Sequence, residues 1–320
     1  MVEVRDLKKN YCKVISVKGI RFTAEKGEVL GFLVPNVAGK TTTMNIITGY
    51  LSATSGSVRV DGYDILQNTR EARASIGYLP ELPPLYQDMT VEKYLRFIYE
   101  LKKVKLQRDE HLLEVMKQVK IDHIKDRVIR NLSKGYRHIV GLAQALVGNP
   151  PVLILDEPTV GLDPRQIIEM RNLIKSLGKK HTVIFSSHVL SEVSAVCDRI
   201  VVLSAGELVA DSKTEEISKS SDNTQSLSVS VVGSPSLVLQ TLSSLDGVLK
   251  VRRDGQPGTE TYRYTVECKE GRDIRASLFR AMAKIDAPVV ELKQKGMSLE
   301  DIFLQLTEPS AEAKDKGGKV

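Results

Sequence analysis

Long apolar runs are missing from this chain: none of its 320 residues belongs to a stretch of the roughly 18 apolar residues that a membrane-spanning helix needs. The opening residues, MVEVRDLKKN, also lack the apolar core of a secretory leader. These absences lead to the expectation of a cytoplasmic protein, with any membrane association made through a partner. Cysteine is scarce. Cys12, Cys197 and Cys268 are scattered and odd in number, with neither metal-ligand spacing nor a disulfide framework, so buried or half-buried thiols are expected. Aromatics make up only 5%, and no basic stripe interleaves with them, which argues against a nucleic-acid partner. The pattern G-x-G-x-x-G is absent as well, which excludes a dinucleotide-binding oxidoreductase.

What is present suits a globular protein of two domains. Hydrophobic residues make up 42%, an ordinary value for a packed core. The net charge is +6, and residues 1–220 hold 32 basic and 26 acidic residues. The excess sits in the first part, as suits a protein that binds phosphate or works near an anionic membrane face.

Strand-like alternation covers Val2 and Val4, Val14 to Val17, and Ile20 to Ala24, with Tyr11 in the loop after the first strand. Tyr11 could be core or could stack on a purine. The run EVLGFL leads into Leu33 to Thr43, LVPNVAGKTTT, and then into a helix ended by Gly49. Ser57 to Val60 and Ile76 to Leu79 read as strands, the first closed by the hairpin signal Asp61-Gly62. Thr90 can cap a helix whose apolar face is Val91, Tyr94, Leu95, Ile98 and Leu101. Leu112, Leu113, Met116 and Val119 mark a second helix, so residues 85–148 read as a helical insertion. Lys102-Lys103-Val104-Lys105 reads as a solvated helix end.

Pro151 to Leu155 is a continuous apolar run ending in Asp156-Glu157, the pattern of a buried parallel strand with acids at its carboxyl end. Helix 165–178, strand His181 to Ser186, His188, helix 189–197 and strand Arg199 to Leu203 follow. This alternation implies a mostly parallel sheet with helices on both faces and a ligand at the strands' carboxyl ends. Residues 212–224 read as a linker. A βαββαβ pattern then runs from Ser226 to Lys293, the split-βαβ plan of ferredoxin-like domains, followed by a terminal helix, Ser298 to Thr307, and a disordered tail. The expected domains are 1–220, 221–308 and the tail 309–320.

Gly39-Lys40-Thr41 closes the phosphate-cradling pattern G-x-x-x-x-G-K-[ST], in which the Lys reaches β/γ-phosphates and the hydroxyl binds Mg²⁺. Asp156, after its buried strand, suits a Mg²⁺-orienting acid, and Glu157 can polarise a water. Ser133 sits where a helix N-cap belongs, and Gly135 lets backbone approach an anion there.

The order phosphate loop, Leu79-Pro80-Glu81, LSKGY, LILDEPTVGLD, SSH resembles the ATP-binding subunit of an ABC transporter, over residues 2–215. The C-terminal part, with MSLEDIFLQLT, resembles the accessory domain of exporter-type (ABC-2-like) subunits. The resemblance implies an α/β P-loop ABC-type ATPase domain with a helical insertion, then a small α+β ferredoxin-like domain. It implies ATP and Mg²⁺ as ligands. Tyr11 would stack on adenine; Asn36, Ala38, Gly39, Lys40, Thr41 and Thr42 would bind phosphates; Thr41, Asp156 and Glu81 would serve Mg²⁺. Glu157 would be the general base, with His188 and Lys40 at the γ-phosphate. Ser133 and Gly135 would reach the nucleotide of a second subunit, and Asp163 would link the two sites. A homodimer or heterodimer and a separate transmembrane permease are the implied partners, with the chain peripheral at the inner membrane face.

Five residues depart from the family pattern. Cys12 follows the aromatic where Gly is usual; Val34 and Val37 replace two loop glycines; His138 and Ile139 follow LSKGY in place of Gln and Arg. A β-branched residue forced to positive φ costs about 1–3 kcal/mol. The expectation from the two valines is impaired hydrolysis, and the alternative is a weakly binding regulatory subunit. A soluble ABC ATPase acting on ribosomes or DNA is a second alternative, though the paired cassettes or long coiled coil of such proteins are missing.

Overall fold

The computed structural model describes residues 1–12, 14–34, 39–214, 226–256, 258, 260–269 and 272–295. The chain divides into two compact units, Met1–Thr214 and Glu215–Val320.

In the first unit, β1 (Val2–Tyr11), β2 (Val14–Ala24), β4 (Ser55–Val60) and β5 (Tyr63–Asp64) form an antiparallel sheet in the order β2-β1-β4-β5. Residues 14 to 24 form one strand where two were expected. Tyr11 is the last residue of β1 and not part of a loop. Pairing with β1 along nearly its whole length keeps β2 continuous, with register shifts absorbing the irregularities.

The second sheet has the order β10-β9-β3-β8-β7-β6, from β3 (Val29–Leu33), β6 (Ile76–Leu79), β7 (Val152–Asp156), β8 (Thr182–Ser187), β9 (Arg199–Ser204) and β10 (Glu207–Lys213). All neighbours are parallel except β10, which runs antiparallel along the edge. Strands β3, β7 and β8 are buried at every position, which is why they read as unbroken apolar runs. The core spans both sheets, with the Phe22 and Phe32 rings 5.6 Å apart.

Helices α1 (Lys40–Ile47), α2 (Thr69–Ala74), α6 (Pro164–Gly178) and α7 (Leu190–Val196) belong to this α/β body. The helical segment holds α3 (Val91–Leu101), α4 (Arg108–Gln118) and α5 (Lys134–Leu146). Thr90 caps α3 as expected, accepting from the Lys93 amide. Two apolar positions differ from expectation: Leu101 and Leu113 are exposed, while Tyr99 and Val115 are buried in their stead. Leu113 lies about 100° of helix rotation from Leu112, off the stripe of Leu112, Val115, Met116 and Val119. Leu101 is the last residue of α3, where packing partners run out.

Lys102, Lys103 and Lys105 are exposed at the end of α3, as expected, but the Lys102 ammonium is not left to solvent. Its Nζ donates to the carbonyls of Gln144, Ala145 and Val147, at 3.1, 3.4 and 2.9 Å. It thereby satisfies the orphan carbonyls at the end of α5. Cys12 is also corrected: it is exposed, whereas Cys197 and Cys268 are buried.

The second unit contains β11 (Ser226–Val232), α8 (Pro235–Ser243), β12 (Val248–Gly255), β13 (Thr261–Cys268), α9 (Arg275–Lys284) and β14 (Val289–Lys295). Its sheet order, β12-β13-β11-β14, is antiparallel throughout, the split-βαβ arrangement. Alternate residues Leu227, Val229 and Val231 share one core with Val238 and Leu242 of α8 and Leu278 and Met282 of α9. The expected terminal helix and tail lie outside the described residues.

Candidate functional site

The parallel register brings three chain segments together at the carboxyl ends of neighbouring strands. Leu33 pairs with Ser187, and Asp156 with Ser186. The phosphate-type loop leaves β3, Asp156-Glu157 ends β7, and Ser187-His188 leaves β8. The sheet order alone thus sets side by side residues more than a hundred positions apart in sequence.

Gly39 opens α1 in the left-handed region at φ 99°. A Cβ there would lie 2.9 Å from Leu203 Cδ2 and 3.1 Å from the Ser16 carbonyl. Glycine alone meets both the backbone and the space. Lys40 follows, buried, with its Nζ 2.8 Å from Glu157 Oε1 and 3.3 Å from Asp156 Oδ1. Burial by itself pulls the Lys40 ammonium down. The hydrogen bond and charge of Glu157, together with Asp156, outweigh it and hold the group above its ordinary range.

Asp156 and Glu157 are both buried and use their oxygens differently. Asp156 Oδ1 accepts from Ser186 Oγ at 2.5 Å, and its Oδ2 accepts no hydrogen bond among the described residues. Glu157 Oε2 lies 3.0 Å from Nδ1 of His188, whose side chain is 61% exposed and open to a ligand. Glu157 has φ 50°, a left-handed conformation costly for a non-glycine residue. Its amide is held there by Ser186, donating to the carbonyl at 3.1 Å and also to Oγ at 3.3 Å. Strain at a buried acid facing an exposed histidine is the kind of distortion that functional sites retain.

Lys40, Asp156, Glu157 and His188 therefore form one cluster. None of the other described candidate residues makes a hydrogen bond or ion pair with this cluster among the described residues. Thr41 is exposed, and Thr42 Oγ1 accepts from Ser16 at 3.0 Å. Glu81 is exposed and makes no polar contact among the described residues. Tyr11 is 45% exposed, with Lys9 Nζ 5.3 Å from its ring centroid, so its face belongs to the surface and not to the core. Ser133 caps α5, accepting from the Tyr136 amide at 3.2 Å. Gly135 lies so close to α6 that a Cβ would meet Gln166 Oε1 at 2.6 Å. Asp163 and Gln166 form a capping box at the start of α6. Asn36, Val37 and Ala38 lie outside the described residues.

Val34 overturns the strain argument made for it. It is described and absent from the positive-φ residues, and its side chain is buried in the core beside Phe32 and Met44. Its β-branched side chain is a packing group at the end of β3. Cys12, by contrast, does occupy the left-handed region, at φ 47°, where a glycine would be at ease.

Sequence reasoning passed over the serines. Ser186 holds Asp156 and the Glu157 amide, and Ser187 joins Glu192 and Thr159 in a buried network. Two hydroxyls ending a wholly buried apolar strand were the available signal, since buried hydroxyls need partners.

A groove of about 540 Å³ opens between the α/β body and the helical segment. Tyr50, Tyr78, Pro80, Leu82 and Pro84 line it, with Arg73 and Lys102 as its cations. Tyr50 and Leu82 are more than three-quarters exposed, at 77% and 76%.

Residues 17–160 match the family model described as ABC transporter. The chain is 33% identical to the uncharacterized ABC transporter ATP-binding protein YhcH of Bacillus subtilis, with 96% of each chain covered. It is 31% identical to the linearmycin resistance ATP-binding protein LnrL of the same organism, covering 96% of this chain and 98% of that one. Among solved structures, the fold resembles cbiO1 from Clostridium perfringens, part of the ABC transporter complex cbiONQ. There the TM-score is 0.62 and the identity 30%, over 68% of this chain and 90% of that one.

Proposed function

The chain belongs to the ATP-binding proteins of ABC transporters, and from that premise we propose how its own residues bind and hydrolyse ATP and pass the work on. The observation that carries the reading is the buried cluster of Lys40, Asp156 and Glu157 with His188 at its mouth. Lys40 is a cation held ready between two carboxylates. Incoming γ-phosphate oxygens compete for it and release Glu157 Oε1. That oxygen then faces an attacking water as general base, while His188 steadies Oε2 and reaches the phosphate from the exposed side.

The residues fit Mg²⁺. Among the described residues no group of three or more His, Cys, Asp or Glu could hold a metal ion alone, and Mg²⁺ on a nucleotide needs only one or two protein ligands beside phosphates and water. Asp156 Oδ2 and the exposed Thr41 hydroxyl are available for that role. The bound ion would neutralise phosphate charge. Glu81 would join from its loop when the groove beside it is occupied.

Ser133 and Gly135 open α5 and share no hydrogen bond with the Lys40 cluster among the described residues, and one chain supplies one of each. A second subunit is therefore needed to place an α5 N-terminus, with its free amides, on the γ-phosphate. No helix among the described residues is long and apolar enough to cross a membrane. The groove lined by Tyr50, Leu82 and the prolines is the proposed seat of a permease segment, apolar with an acidic flank to meet Arg73 and Lys102. On this reading the chain would work at the membrane's inner face. Resemblance to a linearmycin resistance ATP-binding protein favours export of an antibiotic-like compound.

ATP turnover of Glu157→Gln tests the reading. Removing the base should lower kcat by about 10²–10⁴-fold while nucleotide binding persists. Retention of turnover would overturn the assignment. Loss of permease co-purification on Leu82→Glu would support the groove; unchanged co-purification would refute it.

A further inference from the structure

Beyond the last ladder pair, Asp156 with Ser186, and the hydrogen bonds from the Glu157 amide to Ser186, the chain segments carrying Glu157 and His188 part company. Each runs into its own loop. Beside the direct contact of Glu157 with His188, the spacing of base and histidine then depends on what ties the loops together.

One buried carboxylate does this. Glu192, in the first turn of α7, is only 9% exposed. Its Oε2 accepts from Thr159 Oγ1 at 2.5 Å and from Ser187 Oγ at 3.3 Å. Thr159 lies two residues beyond Glu157; Ser187 immediately precedes His188. Ser187 Oγ in turn accepts from the Val189 amide at 3.1 Å, closing the turn around His188. The other oxygen of Glu192 faces Arg171 of α6, with Nη2 at 3.9 Å from Oε1.

A buried carboxylate is costly unless donors surround it. Here the donors come from both loops, so its solvation by the protein fixes their positions. Thr159, Ser187 and Glu192 are all buried, and water cannot substitute for a missing partner there. We infer that Glu192 is a positioning residue for ATP hydrolysis: through Thr159 and Ser187 it sets the distance between Glu157 and His188, without touching nucleotide.

Misplacing a catalytic group by about 1 Å can cost about a hundredfold in rate. The inference rests on the reading of Glu157 and His188 as the hydrolytic pair. If that reading fails, Glu157→Gln will keep its turnover. If only the present inference fails, Glu157→Gln will lose turnover while the Glu192 variants keep it.

The test measures ATP turnover per nucleotide-binding site on the full chain for Glu192→Gln, Thr159→Val and Thr159→Ser. Sites are counted by titration with a fluorescent ATP analogue, so that misfolded protein does not enter the rate. Glu192→Gln and Thr159→Val should each lower kcat by about 10–100-fold, with KM for ATP within about threefold, because phosphate binding uses other groups. Thr159→Ser, which restores the hydroxyl, should recover most of the rate. Combining Glu192→Gln with Thr159→Val should add little, since both break one link. Unchanged kcat per site in both single variants would overturn the inference, as would a loss confined to KM or to the melting temperature, or a Thr159→Ser as slow as Thr159→Val.

Discussion

Acid should destabilise this protein through His138 well before carboxylates titrate. His138 lies inside α5, buried at 3% exposure, and its Nε2 has no hydrogen-bond partner among the described residues. Burial pushes its pKa down from 6.5 to about 4, and the Lys134 charge one turn earlier pushes the same way. The folded value is depressed, so the unfolded chain takes up a proton that the folded chain refuses. Stability is intact above pH 6.5 and is lost as pH falls from there toward about 4. At about 1.4 kcal/mol per pH unit, the loss is about 2 kcal/mol at pH 5 and about 3 kcal/mol when complete. Other groups titrate in the same range, so the assay compares wild type with His138→Gln. Urea unfolding of both proteins, measured at intervals from pH 7.5 to pH 4, gives the stability difference at each pH. That difference should shift by about 3 kcal/mol in favour of Gln across the range. A difference constant with pH would refute the reasoning.

Three further outcomes are expected. Val34→Gly should destabilise the chain by about 2–4 kcal/mol in chemical unfolding, by opening a core cavity and freeing the backbone, without raising ATP turnover. Gly39→Ala should weaken ATP binding at least about tenfold in a nucleotide titration, since φ 99° and the 2.9 Å approach to Leu203 leave a Cβ no relaxed position. Lys102→Met should cost about 1–3 kcal/mol of thermal stability, because the end carbonyls of α5 lose their donor.

The elements were legible where one period ruled them. β3, β7 and β8 are buried on both faces, so their sequences carry no competing signal. Thr90 and Ser133 could be read as caps because a hydroxyl before an apolar-periodic run has few other uses. Helix α2 was not foreseen: it is six residues long, with Ala72 its one buried position, too short to show a stripe. Leu101 and Leu113 were misplaced because a stripe read from spacing does not say where the facing surface ends.

The site divides in the same way. Sequence by itself determined the chemistry: Lys40 and Thr41 after a glycine, two acids after an apolar strand, a histidine after another, in an order shared with a large family. Which of these groups meet was decided only by the tertiary structure. Strand order β3-β8-β7 places Lys40, Glu157 and His188 within hydrogen-bond reach, and no local pattern encodes that order, because it depends on non-local pairing. The same holds for Val34. Its identity suggested a strained loop, but its φ and burial depend on the core it packs against. Glu192 is the extreme case: an acid in a short helix says nothing in sequence, and its role comes entirely from the two loops that fold onto it.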